Sequence, residues 1–513
     1  MKKLPIGIQT FAKIRDPEEN YVYIDKTNVI SELVNSGSYY FLSRPRRFGK
    51  SVLLSTLAEL FSANKALFSG LYIEDKWDWQ KSYPVIRISF GSGQFNTKAL
   101  LDDAIFENLK ANYGKLNLHY DASLSMRSSF INLIKQSSQQ YQEKVVILID
   151  EYDKPILDHI TEPDLARFNR DILKGFYSTI KDLDECIKFV MITGVSKFAK
   201  MNLFSGLNNL QDISINQNYG TLCGYTHAQV AETFAEHLQG VDMDKLQQWY
   251  NGYNYFADPI YNPFDILLFI ANNKEYKNYW WGTGNPSFLI DKLKEQNYYL
   301  PDVQNFVADD IVLDTFDVDK IDLVALLWQT GYLTFADKWE GFNGMQYRLK
   351  VPNKEVQQSL NTLFIEYLTH QGPQLRVNQQ VLYQSLVDAK FDDLKSALSA
   401  LFASIPYNNY ANKIIANYEG YYASVVYTYL ASLGLPMVAE DVTSKGRIDL
   451  TLHFPDKIFI IEFKVDQAEK ALAQIKAKNY QEKYLNQGKT IYLLGINFSS
   501  VEKNISDFEW QAV

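Results

Sequence analysis

The chain has 513 residues, 46% hydrophobic and 22% charged, with a formal net charge of −9. That length suggests roughly three domains of ~150 residues each with ample core, and the negative balance excludes a global basic field, so any nucleic-acid contact must use a local groove. Two cysteines, Cys186 and Cys223, exclude a disulfide framework and fit a reducing cytoplasm. No apolar run approaches the ~18 residues needed to span a bilayer, so no membrane partner is expected. The start, Met1-Lys2-Lys3-Leu4, has a basic pair without a sustained apolar stretch, and no signal peptide is expected.

The first third alternates strand and helix patterns. Strands are expected at Tyr39–Ser43, Pro84–Phe90, Val145–Ile149 and Lys188–Thr193, and helices at Val52–Phe61, Thr97–Asn112, Ser123–Gln139 and Asp164–Asp182. Such alternation predicts a parallel sheet flanked by helices. Between the first strand and first helix lies Arg44-Pro45-Arg46-Arg47-Phe48-Gly49-Lys50-Ser51. A strand, a loop, Gly-Lys-Ser and a helix together make a phosphate cradle: Lys50 reaches the β/γ oxygens of a nucleotide triphosphate and the Ser51 hydroxyl binds Mg²⁺. The usual pattern asks for Gly where Arg44 stands, because only Gly visits positive φ cheaply. Arg46 and Arg47 have two readings, as clamps on phosphate oxygens or as partners of nearby acids.

The third strand ends in Asp150-Glu151, where parallel sheets bind ligands. Asp150 would hold Mg²⁺, and Glu151 would orient or polarise the attacking water; a solvated strand end is the plain alternative. After the fourth strand, Thr193 or Ser196 is read either as a γ-phosphate sensor or as a cap on the strand-to-loop junction.

The motifs Leu4–Ile8, Tyr23–Thr27, Arg44–Ser51, Ile149–Pro155 and Phe204–Asn209 occur in order. Over roughly residues 1–235 they resemble the AAA-ATPase-like family, whose bacterial members often carry a C-terminal PD-(D/E)XK nuclease domain. The resemblance implies a P-loop ATPase fold, ATP as cofactor, and a cofactor-binding set of Arg46, Arg47, Phe48, Gly49, Lys50, Ser51, Asp150 and Thr193. Arg44 in place of Gly is in keeping with that family.

The middle reads as a helical lid and connector, with Thr226 as N-cap of a helix over His227–Leu238. Turn-like aromatic loops stand at Trp249–Tyr253, Tyr261–Phe264 and Trp280–Pro286, and are read as packing rather than chemistry. Domains are expected at 1–225, 226–372 and 373–513, the last with its core at 410–513.

In the C-terminal quarter, period-two alternation runs on both sides of Pro455-Asp456, a strong turn signal. With those two as the central turn residues, Asp449 falls opposite Glu462, and Lys464 lies on the same face. Ile448, Leu450, Leu452, Phe459, Ile461 and Phe463 form the opposite, core face. Opposed carboxylates destabilise a bare hairpin, and a Mg²⁺ ion held by Asp449 and Glu462 would reverse that. Lys464 would then stabilise charge on a phosphate or position water. A salt-bridged, solvated strand face is the alternative. The segment 410–513 resembles the PD-(D/E)XK nucleases. That resemblance matches Glu419, in an expected helix Tyr410–Ser432, to the acid before the hairpin. It also matches Gln474 and Tyr480, in an expected helix Ala468–Tyr484, to the glutamine–tyrosine element. Glu440 is a spare acid.

The expected fold is therefore α/β: a P-loop parallel sheet with helices, a helical middle, and an α/β restriction-endonuclease-like domain. The expected function is an ATPase fused to a Mg²⁺-dependent nuclease acting on DNA, in the cytoplasm. The alternative is an ATP-dependent switch whose nuclease-like domain grips a partner without cutting. A homo-oligomer stays open, and so do Arg167 and Arg170 as arginine fingers.

Overall fold

The computed structural model describes residues 1–197, 207, 209–280, 306–314, 316–317, 320–342, 344–369, 374–405, 419–467 and 470–513. Two compact units result: the described residues before 284 with Phe306–Glu355, and the described residues from Val356 to Val513.

In the first unit, β1 (Tyr39–Ser43), β2 (Val85–Ser89), β3 (Val145–Asp150), β4 (Ile187–Gly194) and β5 (Gln211–Asp212) form one sheet in the order β2-β3-β4-β1-β5. All its pairings are parallel. Helices α1 (Lys50–Phe61), α2 (Lys98–Lys115), α3 (Met126–Tyr141) and α4 (Pro163–Tyr177) follow or separate the strands. Val145 to Ile149 are all buried, as a central strand with covered faces requires. The expected helix over Asp164–Asp182 stops at Tyr177, and 3₁₀ turns carry the chain to Cys186 with Leu183 off helical geometry. Parallel strand order places the C-terminal ends of β1, β3 and β4 side by side, so the phosphate loop, Asp150 and Thr193 share one edge.

The rest of this unit contains α5 (Pro263–Ala271), α6 (Asp310–Asp314), α7 (Leu323–Thr330) and the start of α8 (Lys354–Thr369). It also holds a small antiparallel sheet that periodicity did not predict: β6 (Val307–Asp309), β7 (Thr334–Gly341) and β8 (Gly344–Lys350), in the order β7-β8-β6. Only part of each strand is buried, which weakens any local signal. The compact units divide at Glu355 and Val356, whereas the expected division at 372 lies outside the described residues, as do most of Phe204–Asn209 and Trp280–Pro286.

The second unit carries α9 (Phe391–Ala403), α10 (Glu419–Ala431) and α11 (Ala471–Lys478) with β9 (Met437–Thr443), β10 (Gly446–His453), β11 (Lys457–Val465), β12 (Thr490–Ser499) and β13 (Asn504–Ala512). The sheet runs β9-β10-β11-β12-β13, parallel only between β11 and β12. The β10–β11 hairpin keeps the expected register from Leu450↔Ile461 through His453↔Ile458, but the ladder stops there, so the expected pairing of Asp449 with Glu462 is not part of it. Two corrections apply. Ile448 packs in a cluster with Ile458, Ile460, Leu472, Ile475 and Tyr480, not with Leu450 and Leu452, because the regular β10–β11 ladder ends at Leu450. The expected helix Ala468–Tyr484 is shorter: Asn479, at φ +50°, ends α11, and a 3₁₀ turn over Tyr480–Lys483 follows. Of the expected helix Tyr410–Ser432, residues 410–418 lie outside the described ones.

Candidate functional site

The phosphate loop bends through Arg47 at φ +68° and Gly49 at φ +94°, then enters α1 at Lys50. Arg44 is not among the positive-φ residues, so glycine is not needed where the usual pattern asks for it. Its side chain is fully buried and donates to the carbonyls of Ser43 (2.9 Å), Ser214 (2.6 Å) and Tyr219 (3.4 Å). The guanidinium lies 3.6 Å from the Tyr255 ring centroid. Arg44 is thus a brace for the loop. Arg44→Gly should lower stability by about 2–4 kcal/mol through lost hydrogen bonds and cation–π contact; urea unfolding checks this, and an unchanged midpoint would refute the brace.

A cleft of about 710 Å³ opens over the loop. Arg46, Arg47, Gly49, Lys50, Ser51 and Glu151 line it, with Pro5, Ile8 and Ile24 as an apolar wall and Pro263, Phe264 and Leu267 of α5 contributing a further part. Lys50 is buried, and its ammonium donates to the carbonyls of Arg44 (2.8 Å) and Pro45 (2.9 Å). Burial lowers its pKa, and Asp150 is the leading charge that opposes this, so the two sit together as expected. Arg46 and Arg47 are exposed, and the Arg47 guanidinium rests 3.8 Å from the Phe264 ring centroid. Phe48 is among the residues lining the cleft, with its ring fully buried edge-on to Tyr253 at 4.8 Å. Its carbonyl accepts from Gly224 N–H at 3.0 Å.

At the end of β3, Asp150 Oδ1 accepts from the Thr193 hydroxyl at 2.7 Å. Glu151 adopts φ +52°, a costly region for a residue with a Cβ and one that clusters at functional sites. Burial, then the Asp150 charge, raises its pKa, which suits a carboxylate meant to accept a proton. Two participants escaped sequence reasoning. Asp153, nearly fully buried, accepts from Val195 N–H (3.1 Å), Ser196 N–H (2.7 Å) and the Ser196 hydroxyl (2.6 Å). Burial raises its pKa, while those bonds and Lys50 pull it down. Lys26 lines the cleft, donates to Thr221 O (2.9 Å) and Gln229 Oε1 (2.7 Å), and burial pushes its pKa down to about 8. Both belong to quoted motifs, Ile149–Pro155 and Tyr23–Thr27, which was the available signal. Arg167 and Arg170 pair with Asp164 and Asp171 at 2.8 and 3.0 Å.

Next to Arg47, Asp265 on α5 and the neighbouring Glu355 are both buried, and neither Asp265 carboxylate oxygen has a hydrogen-bond donor among the described residues. Two buried carboxylates side by side disfavour the doubly charged state, so the pair retains a proton. Burial pushes Glu355 up to about 7 and Asp265 well above the carboxylate range. Folded-state values raised above the unfolded ones mean the native state binds the extra protons. Stability contributed by this pair therefore falls as pH rises from about 4 through about 7. Urea unfolding at pH 6 and pH 8 should show a smaller difference in Asp265→Asn, which keeps a neutral donor, than in the wild type.

In the second unit, Glu462 on β11 is nearly fully buried, and its carboxylate accepts from the Gln474 amide of α11. Asp449 Oδ2 accepts from Phe463 N–H at 2.8 Å, which ties it to the strand that carries Glu462. Burial raises the Tyr480 pKa, and the charges of both Glu462 and Asp449 raise it further, so the two acids and Tyr480 share one locality. Gln474 also hydrogen-bonds Tyr480, whose hydroxyl donates to Arg447 O at 3.0 Å. Lys464 is half-buried two residues beyond Glu462. Glu440 lies in a bulge at φ +55° and pairs with Arg447. Glu419 begins α10, but its side chain lies outside the described residues. No cluster of three or more metal-type His, Cys, Asp or Glu side chains occurs among the described residues. Two carboxylates nonetheless fit Mg²⁺, which is usually held by one or two of them plus water and substrate phosphate.

A strand-loop-helix phosphate cradle in one unit and an Asp…Glu-X-Lys hairpin in the other define an ATPase-like protein joined to a nuclease-fold domain. Residues 5–204 match the family model described as predicted AAA-ATPase, and residues 417–508 match that of the PD-(D/E)XK nuclease superfamily. An uncharacterized protein in the vnfD 5′ region of Azotobacter chroococcum mcd 1 is 47% identical over 99% of this chain and 98% of its own length. The chain belongs to the family of that protein, with an AAA-ATPase-like domain first and a PD-(D/E)XK domain last. Cdc6p from Pyrobaculum aerophilum aligns over 69% of this chain and 97% of its own, at 11% identity and a TM-score of 0.28. At that score the likeness carries no functional weight. No helix among the described residues is long and apolar enough to cross a membrane.

Proposed function

We propose that this protein hydrolyses ATP with Mg²⁺ in the first unit and cleaves phosphodiester bonds of DNA with Mg²⁺ in the second. The observation that carries the first half is that Lys50, Ser51 and Glu151 line one cleft with Asp150 beside Lys50 and Glu151. The second half rests on Glu462, Asp449, Gln474 and Tyr480 sharing one locality.

In the ATP site, Lys50 exchanges its two loop carbonyls for phosphate oxygens, a swap of neutral for charged acceptors. Ser51 and Asp150 would hold the metal, and Thr193 keeps Asp150 aimed by donating to it. Glu151 orients water and takes its proton, helped by a raised pKa. In the DNA site, the Gln474 amide fixes the Glu462 carboxylate and Phe463 N–H fixes that of Asp449. Lys464 offers a cation to the phosphate at the cut. Mg²⁺, when bound, supplies Lewis acidity at the phosphate and lowers the pKa of bound water. Free Cys186 and Cys223 support a cytoplasmic setting.

One observation favours a second reading, a switch that grips nucleic acid without cutting: no third metal-type side chain joins Asp449 and Glu462 among the described residues. Incubation of wild-type protein with plasmid and linear DNA, with ATP and with Mg²⁺ or EDTA, separates the readings. Mg²⁺-dependent nicking supports the nuclease. A Mg²⁺-dependent mobility shift without nicking supports the grip, and neither result would overturn both for this domain.

A further inference from the structure

The loop after β4 is held from two directions. On one side, Val195 and Ser196 donate to Asp153, and Thr193 donates to Asp150. On the other, the next residue, Lys197, donates its N–H to Gln329 Oε1 of α7 at 2.9 Å. The Gln329 amide in turn donates to Leu313 O of α6 at 3.0 Å. The Lys197 side chain is only 3% exposed and forms ion pairs with Asp212 at 3.1 Å and Asp314 at 3.0 Å. Asp212 also accepts from Ser214 N–H at 2.8 Å, and Ser214 grips the start of the phosphate loop through Ser43 N–H (2.8 Å) and Arg44 (2.6 Å). At the end of α7, Gly331 has φ +91°, and a Cβ there would come within 2.9 Å of Pro45 in that loop. The helix therefore meets both lips of the nucleotide cleft.

A buried lysine is costly unless its charge is matched, and the two carboxylates here match it. Such a cation is poorly suited to an element that only needs to be covered. It is well suited to fixing one geometry, since any shift of α6 or of β5 strands the charge. Lys197, Gln329, Asp212 and Asp314 do not line the cleft, so their effect on chemistry must pass through the residues they hold.

We infer that Lys197 and Gln329 are positioning residues for the ATP site: they clamp the loop after β4 so that Asp150 and Asp153 keep their hydroxyl and amide donors, and they tie that loop to α7 and the phosphate loop. The inference rests on the ATPase reading above, and its test separates the two. In Gln329→Met the side chain keeps its bulk but loses both the acceptor for Lys197 N–H and the donor to Leu313 O, whereas Gln329→Glu restores the acceptor alone. Hydrogen exchange on nucleotide-free protein is expected to rise about tenfold at residues 195–197 in Gln329→Met, with the central strands unchanged. The ATP hydrolysis rate should fall about tenfold with the affinity for ATP within about threefold of wild type, and Gln329→Glu, which restores the acceptor but not the donor to Leu313 O, should recover part of that rate. Gly331→Ala, which presses on Pro45, should also lower the rate while leaving exchange at 195–197 as in wild type. If exchange at 195–197 is unchanged in Gln329→Met, or if ATP affinity and rate fall together, the clamp is overturned. Absence of ATP hydrolysis in the wild type would overturn the ATPase reading instead, and exchange alone would then decide whether the clamp exists.

Discussion

Lys50→Ala is expected to abolish ATP binding by this protein. The Lys50 ammonium is buried among main-chain carbonyls and beside Asp150, so it is oriented before any nucleotide arrives. Charge-assisted bonds to phosphate in a sheltered cleft contribute roughly 1.5–3 kcal/mol each. Loss of two such bonds corresponds to at least a hundredfold in affinity at about 1.4 kcal/mol per tenfold. Titration calorimetry with ATP and Mg²⁺ measures this directly. The substitution also removes a buried cation from beside Asp153, so that acid should become easier to protonate. Affinity equal to wild type would mean that the loop does not hold phosphate.

The second large effect is expected at Glu462→Ala, which should reduce Mg²⁺-dependent DNA cleavage by roughly a hundredfold or more, the scale seen when one strong electrostatic contact to a transition state is lost. Glu462 is 1% exposed, and its carboxylate is oriented by the Gln474 amide. Its neighbour Asp449 is tied to the same strand through Phe463 N–H. Truncating this buried side chain also takes away the acceptor of the Gln474 amide, so stability should fall by about 1–3 kcal/mol; Glu462→Gln, which keeps the bulk and an acceptor oxygen, should lose cutting with a smaller loss of stability. Plasmid nicking rates and melting temperatures, measured on the same preparation, test both halves. Identical cutting by wild type and variant would end the catalytic role.

The sequence readings succeeded where the physics is local. The strand at Tyr39–Ser43 has its expected bounds, and the hairpin register follows from a two-residue turn at Pro455-Asp456. The acid at the end of β3 was legible because a continuous apolar run ending in Asp150-Glu151 marks the rim of a parallel sheet. Gln474 and Tyr480 were reached by resemblance; the Gln474 amide bonds Glu462, and Tyr480 lies within reach of the Glu462 charge.

The failures have one cause. Arg44 looked like a damaged glycine position because its partners, Ser214 and Tyr219, lie about 170 residues away in sequence. The β6–β8 sheet lacks a clean alternation, since its strands are covered along only part of their length. Asp153 and Lys197 gave no local sign that they would be buried and multiply bonded.

What the chain order alone determined is the set of strand–turn–helix units and the acids at their ends, because backbone geometry and turn chemistry act over a few residues. What only the tertiary structure decided is which side chain faces the cleft and which braces it. Burial and ion pairing depend on groups brought together from distant parts of the chain, and a buried arginine or lysine is stable only where that assembly supplies its partners.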